Sequence, residues 1–305
     1  MQEIKLFAPV IIPTSNRYNH LKSCVESLAK CSGAEETELF ISVDYPPSEK
    51  YKKGHNEIIE YVKNIIGFKV VHIYIQEKNL GGYGNLFFLR NEVLKNYDRM
   101  IFTEDDNIFS PCFLEYINKG LEIFKDDKRI WGICGYNYSI EIPNSYSQQY
   151  NYYFSKEYSA WGAGYFNKML DLDVDRSVDN GKLLLKKYWS KLTWNARNEL
   201  ICSIKHNRFP GDLYRILLLI DSEMYCVFPT DNLVVNKGHD GSGINCGYNA
   251  NDIYSVQAQS IEKHFEFKGN PPICEDKRIR KKLDKYFDIP FKSKIKIFIQ
   301  KLLLN

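Results

Sequence analysis

Several things are missing from this 305-residue sequence, and each absence removes a class of protein. No run approaches the ~20 apolar residues of a membrane-spanning helix. The apolar run at residues 6–12 is short, ends in Pro13-Thr14-Ser15, and reads as a strand rather than a leader, so a cytoplasmic protein is expected. The eight cysteines contain no CxxC pair and no Cys/His spacing that fits a zinc site, and reduced thiols are their simplest state. There is no internal repeat and no low-complexity linker. There is also little charge excess, a net +3, and it is unevenly placed. Residues 276–305 hold ten Lys/Arg against three acids, so this end carries +7 and residues 1–275 carry −4. An acidic-to-neutral body with a basic end argues against a nucleic-acid partner. It fits an enzyme that touches an anionic surface at one end.

The chain is long enough for one large domain or two small ones, and its 44% hydrophobic and 26% charged residues are ordinary for a globular protein. Apolar runs at 5–13, 38–44, 69–75 and 100–103 read as strands. Helical spacing falls between them: from His20 through Leu21, Cys24, Val25 and Leu28; from Ile58 through Ile66 to Gly67; and from Leu86 to Leu94. Residues 76–85 carry three glycines that permit tight turning and close backbone approach to a ligand. The order β-α-β-α-β-α-β predicts a parallel sheet with helices on both faces. Later segments are less regular. Residues 130–134 and 224–228 read as strands, 158–166 as a small-residue loop around Trp161, and 181–206 and 211–220 as helices. Asp212 lies in the N-cap region of the last of these, and residues 236–243 form a glycine-rich loop. At the basic end, Ile295, Phe298, Ile299, Leu302 and Leu303 recur at helical spacing with lysines between, an amphipathic helix for an anionic membrane face or for the domain's own core.

Glu104, Asp105 and Asp106 follow the fourth strand directly. Adjacent carboxylates repel, and a half-buried triplet is costly unless a cation neutralises it. Mg²⁺ or Mn²⁺ takes oxygen ligands and bridges carboxylates to substrate phosphates. Ligands of open α/β sheets bind at the carboxyl ends of the strands. Chemistry and position together point to a metal–phosphate site; the bland alternative is a solvated acidic turn before Ser110-Pro111.

In order along the chain, Pro13-Thr14-Ser15-Asn16-Arg17 with His20-Leu21, Asp44, Asn79-Leu80-Gly81-Gly82 with Arg90-Asn91, and Glu104-Asp105-Asp106 resemble the GT-A-fold glycosyltransferases. The opening resembles family 2, and the acid triplet resembles the N-acetylglucosaminyltransferase I branch and related bacterial sugar transferases. The resemblance covers residues 8 to about 245. It implies a mostly parallel central sheet flanked by helices with a helical C-terminal extension. The nucleotide-binding half would be residues 1–110, the acceptor half 111–270, and the basic tail 271–305.

The resemblance also implies roles. Pro13, Thr14, Arg17, Asp44, Asn79, Gly81, Gly82, Arg90, Glu104 and Asp105 would bind the donor, a nucleotide-diphosphate sugar of the UDP class first. Asp106 would hold Mn²⁺ or Mg²⁺, with His239 as a late second ligand; related sequences keep a histidine several residues later, where this chain has Asn245. Asp212, or failing it Asp221, would be the general base of an inverting transfer, and Trp161 and Gly162 the platform for a glycan or lipid-linked acceptor of bacterial surface polysaccharide. Residues 277–304 would touch the inner face of the cell membrane. Two rivals stand beside this reading. A sugar-nucleotide pyrophosphorylase would need a glycine-rich loop after the first strand, which Pro13-Thr14-Ser15-Asn16-Arg17 lacks. A non-catalytic carbohydrate-binding protein would have no need of the acid triplet.

Overall fold

A computed structural model describes residues 7–170, 181–243 and 254–304. The first third forms the expected alternation: β1 (Val10–Thr14), α1 (Tyr18–Leu28), β2 (Glu38–Val43), α2 (Lys52–Val62), β3 (Val70–Ile75), α3 (Gly81–Val93) and β4 (Arg99–Phe102). β1 pairs in parallel with both β2 and β4, and β2 with β3. β1 and β2 carry unbroken buried runs, Val10-Ile11-Ile12 and Leu39-Phe40-Ile41, as strands covered on both faces must. α1 buries Leu21, Cys24, Val25 and Leu28, the face its periodicity marks.

Two boundaries differ from the sequence expectation. α2 stops at Val62, where Asn64 folds its amide back onto the Glu60 carbonyl at 2.9 Å. Ile65 and Ile66 therefore lie beyond the helix, and Ile66 is 83% exposed. α3 begins at Gly81, so the glycines expected in a loop form its first turn. The Asp44 carboxylate explains this. It accepts the Leu80 and Gly81 amides at 2.8 and 2.9 Å, satisfying helix-start donors from a neighbouring strand.

The chain continues through β5 (Asn107–Phe109), α4 (Phe113–Phe124), β6 (Ile130–Cys134), α5 (Asn144–Ser147), β7 (Tyr152–Ser155), β8 (Ala163–Phe166) and α6 (Asn167–Leu170). Then come α7 (Gly181–Tyr188), α8 (Trp194–His206), α9 (Gly211–Asp221), β9 (Tyr225–Pro229), β10 (Val234–Asn236), α10 (Lys277–Tyr286) and α11 (Phe291–Leu304). Among the described residues the main sheet has the order β3-β2-β1-β4-β8-β6-β9-β7, and β10 pairs with β5 in a separate ribbon. This is the expected α/β architecture, a large central sheet flanked by helices. It is parallel up to β4 and mixed beyond, because β8 runs antiparallel to both β4 and β6.

β8 falls within residues 158–166, which read as a loop. α4 lies so close that a Cβ on Gly164 would stand 2.5 Å from Ile117 Cγ2 and 3.1 Å from Leu121 Cδ1. Gly164 answers to a helix packed on a strand, not to a turn. The helix expected over 181–206 is two, α7 and α8, with the Thr193 hydroxyl capping the second through the Ala196 amide at 3.4 Å. At the basic end, α11 packs on α7 and α8. Its buried residue is Ile297, while Ile295, Phe298, Ile299, Leu302 and Leu303 are 46–80% exposed. The apolar stripe therefore faces outward rather than into the domain. Among the described residues no helix is long and apolar enough to cross a membrane.

Candidate active site

Pairing of β1 with β2 and β4 brings Thr14, Asp44, Glu104, Asp105 and Asp106 to one edge of the sheet. Ala163 of β8 lies opposite Phe102 on one side and Cys134 on the other, so the segments around Trp161 and Tyr136 reach the same edge.

Asp105 and Asp106 are buried there. Thr14 Oγ1 donates to Asp105 Oδ2 at 2.7 Å. Arg17 bridges the pair, donating to Asp105 Oδ1 and, through Nη1, to Asp106 Oδ2 at 2.8 Å. Asn236 Nδ2 donates to Asp106 Oδ1 at 2.8 Å and to Asn107 Oδ1 at 2.9 Å. Gly238 packs against the same carboxylate, where a Cβ would stand 2.0 Å from Asp106 Oδ2. Burial pulls the Arg17 pKa down, but the two carboxylates outweigh it and raise it, so the guanidinium stays charged. Burial also pushes the Asp105 carboxyl up, against the opposing pull of Arg17.

Asp44 and Asn79 form the latch that starts α3, with Asn79 Nδ2 donating to Asp44 Oδ2 at 3.2 Å. Gly81, at φ 72°, and Gly82 have nothing within 4 Å of where a Cβ would stand, so this turn offers bare backbone to the open edge. Beneath it the buried Asn85 ties Thr14 O (3.3 Å) to Ser42 O (3.0 Å). Pro13 sits in β1 opposite Ser42. Arg90 is not brought to this edge. It lies about 13 Å along α3 from Gly81 and its guanidinium stacks on Phe87 at 5.1 Å.

Across the edge stands Asp212. It is in the first turn of α9, whose N-cap is Pro210 with no side-chain cap hydrogen bond, so Asp212 is not spent as a cap. The Gly211 amide donates to Tyr83 Oη at 3.2 Å, which ties the start of α9 to the first turn of α3. Asp212 lines a cavity of about 140 Å³ together with Trp161, Glu199, Tyr136, Tyr138 and Tyr158. It is open to water by area but walled by protein, the position of a group on the floor of a cleft. That desolvation first, then the charge of Glu199, lifts its carboxyl to about 7 against the pull of Arg215. Half-buried Glu104 joins the two sides. Burial, then the charges of Asp106, Asp212 and Asp105, push it up to about 8, with Arg17 opposing.

Asp221 is not brought to the site. It closes α9 about 13 Å along the axis from Asp212, paired with Lys187 at 2.5 Å. Trp161 stands edge-on to Tyr136 (4.7 Å), Tyr254 (5.2 Å) and His239 (5.9 Å), and the His239 ring stacks on Tyr254 at 4.7 Å. Gly162, at φ 67°, packs against Phe113, 2.8 Å from where its Cβ would be, and serves the turn into β8. Asn245 lies outside the described residues.

Among the described residues no three His, Cys, Asp or Glu side chains converge as metal ligands. The adjacent Asp105 and Asp106 carboxylates nevertheless suit a hard divalent cation. Arg17 balances only one of their two charges, and each oxygen retains acceptor capacity beyond its bond to Thr14, Arg17 or Asn236.

Asn85, Asn236, Gly238, Glu199 and the cavity tyrosines were not singled out from sequence. Asn236 and Gly238 lie in a stretch that reads as loop, and nothing local pairs Asn236 with Asp106, 130 residues away. In the sequence the tyrosines show only as a high count, 22 of 305 residues.

No family model matches the chain, and no curated protein matches it. Among solved structures, it is similar to S. aureus TarS residues 1–349 (16% identity, TM-score 0.41, covering 75% of this chain and 59% of that one). It is also similar to the TarS 1–349 complex with UDP-GlcNAc (20%, 0.35, 54% and 46%). A third is the mannosyltransferase PcManGT from Pyrobaculum calidifontis in complex with GDP-Man and Mn²⁺ (11%, 0.39, 73% and 71%). The chain spans about 59% of the TarS fragment.

Proposed function

We propose that this chain is a glycosyltransferase of the GT-A type that moves a sugar from a nucleotide-diphosphate donor to a glycan or lipid-linked acceptor with inversion. A UDP-sugar is the first donor to test. The observation that carries the reading is the Gly211–Tyr83 contact, which ties the start of α9, where Asp212 lies, to the bare-backbone turn of α3, with Asp212 in electrostatic reach of Glu104. In this reading the donor edge and the base are joined through the contact of α3 with α9.

In this reading the nucleoside lies along Thr14, Asp44 and the Gly81-Gly82 turn. Asp106, with Asp105, would hold Mn²⁺ or Mg²⁺, which when bound neutralises charge on a diphosphate leaving group. Arg17 adds a forked donor suited to phosphate oxygens at the same place. Glu104, half-buried beside the pair, is placed to hydrogen-bond a sugar hydroxyl. Asp212, poised at about 7, takes the proton of the attacking acceptor hydroxyl. Trp161 offers a face to the acceptor ring. His239, stacked on Tyr254, fits the acceptor wall better than a metal ligand role.

The outward apolar stripe of α11, interleaved with Lys292 and Lys296, supports peripheral contact with an anionic bilayer. Leu302→Lys with Leu303→Lys should abolish vesicle co-sedimentation; unchanged sedimentation would remove this part. The central reading is tested by product analysis of UDP-sugars with Mn²⁺. A transferase releases UDP, and Asp106→Ala stops it. A pyrophosphorylase forms UTP when pyrophosphate is added, and a binding protein yields neither.

A further inference from the structure

We propose that a second cleft, of about 630 Å³ and bounded by α8 and α10, binds the phosphate or diphosphate of an acceptor whose sugar occupies the cavity above Asp212. This deepens the transferase reading and rests on it. Four cations line the cleft. Arg280 is committed to Glu157, Glu275 and Asp284, at 3.4, 3.3 and 2.9 Å. The side-chain nitrogens of Lys156, Lys191 and Arg197 form no ion pair with a carboxylate of the described residues, and the cleft's one acid outside the Arg280 cluster is Glu223. Arg197 is already oriented. Its Nε donates to the Trp189 carbonyl at 2.8 Å, and its guanidinium lies over the rings of Trp189 (5.4 Å) and Trp194 (4.6 Å). Its terminal amino groups make no hydrogen bond to the described residues, so a planar fork that matches phosphate oxygens is held ready.

Position ties this cleft to the acceptor. Thr193 lines both spaces. The charged residues around the cavity are Glu157, Glu199 and Asp212, with no cation, so an acceptor's anionic group is disfavoured there and favoured next door. On the far wall, Trp194 and Trp189 carry Lys294 and Lys301 of α11 at 5.3 and 4.6 Å. Cavity, cleft and outward α11 stripe thus offer matching surfaces in turn to a neutral sugar, a phosphate and a hydrocarbon chain.

Decyl phosphate and inorganic phosphate, titrated by tryptophan fluorescence against wild type, Arg197→Gln and Lys191→Gln, test this. Lys191 is exposed, so its variant guards against a folding defect. Decyl phosphate should bind wild type and lose about tenfold or more in affinity in each variant. The thermal shift given by UDP-sugar and Mn²⁺ should stay unchanged. No binding, or equal binding by all three proteins, overturns the site. Inorganic phosphate binding as tightly as decyl phosphate overturns the acceptor assignment, because the cleft would then take free phosphate. Arg197-dependent binding without any nucleotide-sugar shift would leave the cleft standing and sink the transferase reading instead.

Discussion

Gly238→Ala probes how the late loop holds the acid pair. The added methyl would stand 2.0 Å from Asp106 Oδ2 and 2.8 Å from its Cγ. Gly238 is outside the left-handed region, so the effect is steric and not one of backbone strain. Real contacts of this kind stay beyond 3.0 Å, so the carboxylate must retreat by about 1 Å. Retreat breaks the 2.8 Å bonds from Arg17 and from Asn236. Asp106 is 6% exposed, so water cannot replace them in place. Charge-assisted hydrogen bonds contribute about 1.5–3 kcal/mol each. With partial relaxation the loss should be about 3 kcal/mol, a fall in Tm of roughly 5 °C for a protein of this size. Thermal and urea melts read the stability, and a Mn²⁺–UDP-sugar titration reads the site. A variant within 2 °C of wild type (well below that estimate) that still binds donor would refute the claim that Gly238 and Asn236 position Asp106.

Three further perturbations separate fold from function. Gly82→Ala has open space around its new methyl and should stabilise α3 by up to about 1 kcal/mol. It should weaken donor binding in the same protein; a rise in both would remove the donor from this turn. Asp212→Asn should cut transfer by about 10²–10⁴-fold while leaving the donor-induced thermal shift intact. Because Asp212 must be ionised to accept a proton and its pKa is raised to about 7, wild-type kcat/KM should climb with pH and level off above that value. An acid limb unchanged in the variant would assign the base elsewhere. Arg17→Met leaves two buried carboxylates without their cation and should cost about 3 kcal/mol. Mn²⁺ alone should then raise Tm more than it does in wild type, and an equal rise would argue that the metal does not sit on this pair.

What was legible in the sequence is what is local. The buried runs of β1 and β2, the face of α1 and the acid triplet at the end of β4 each depend on neighbours a few residues away. Thr14, Arg17 and Asp44 were visible as candidates, but not that Arg17 would bridge Asp105 and Asp106 or that Asp44 would be occupied starting α3. β8 was missed because its Gly164 is dictated by α4, and a glycine required by another element looks in sequence like a glycine required by a turn. The periodicity of α11 was legible while its orientation was not. A stripe flanked by lysines can face core or solvent, and only the packing of α11 on α7 and α8, with Ile297 buried, decides it.

The most direct measurement of the central claim is a thermal-shift panel of UDP-, GDP-, CMP- and dTDP-sugars, with and without Mn²⁺, on wild type and Asp106→Ala. One nucleotide class should stabilise wild type only when metal is present, by about 2.7 kcal/mol at a hundred times its Kd, and should leave the folded variant unmoved. A folded wild-type protein that none of them stabilises would contradict the transferase account.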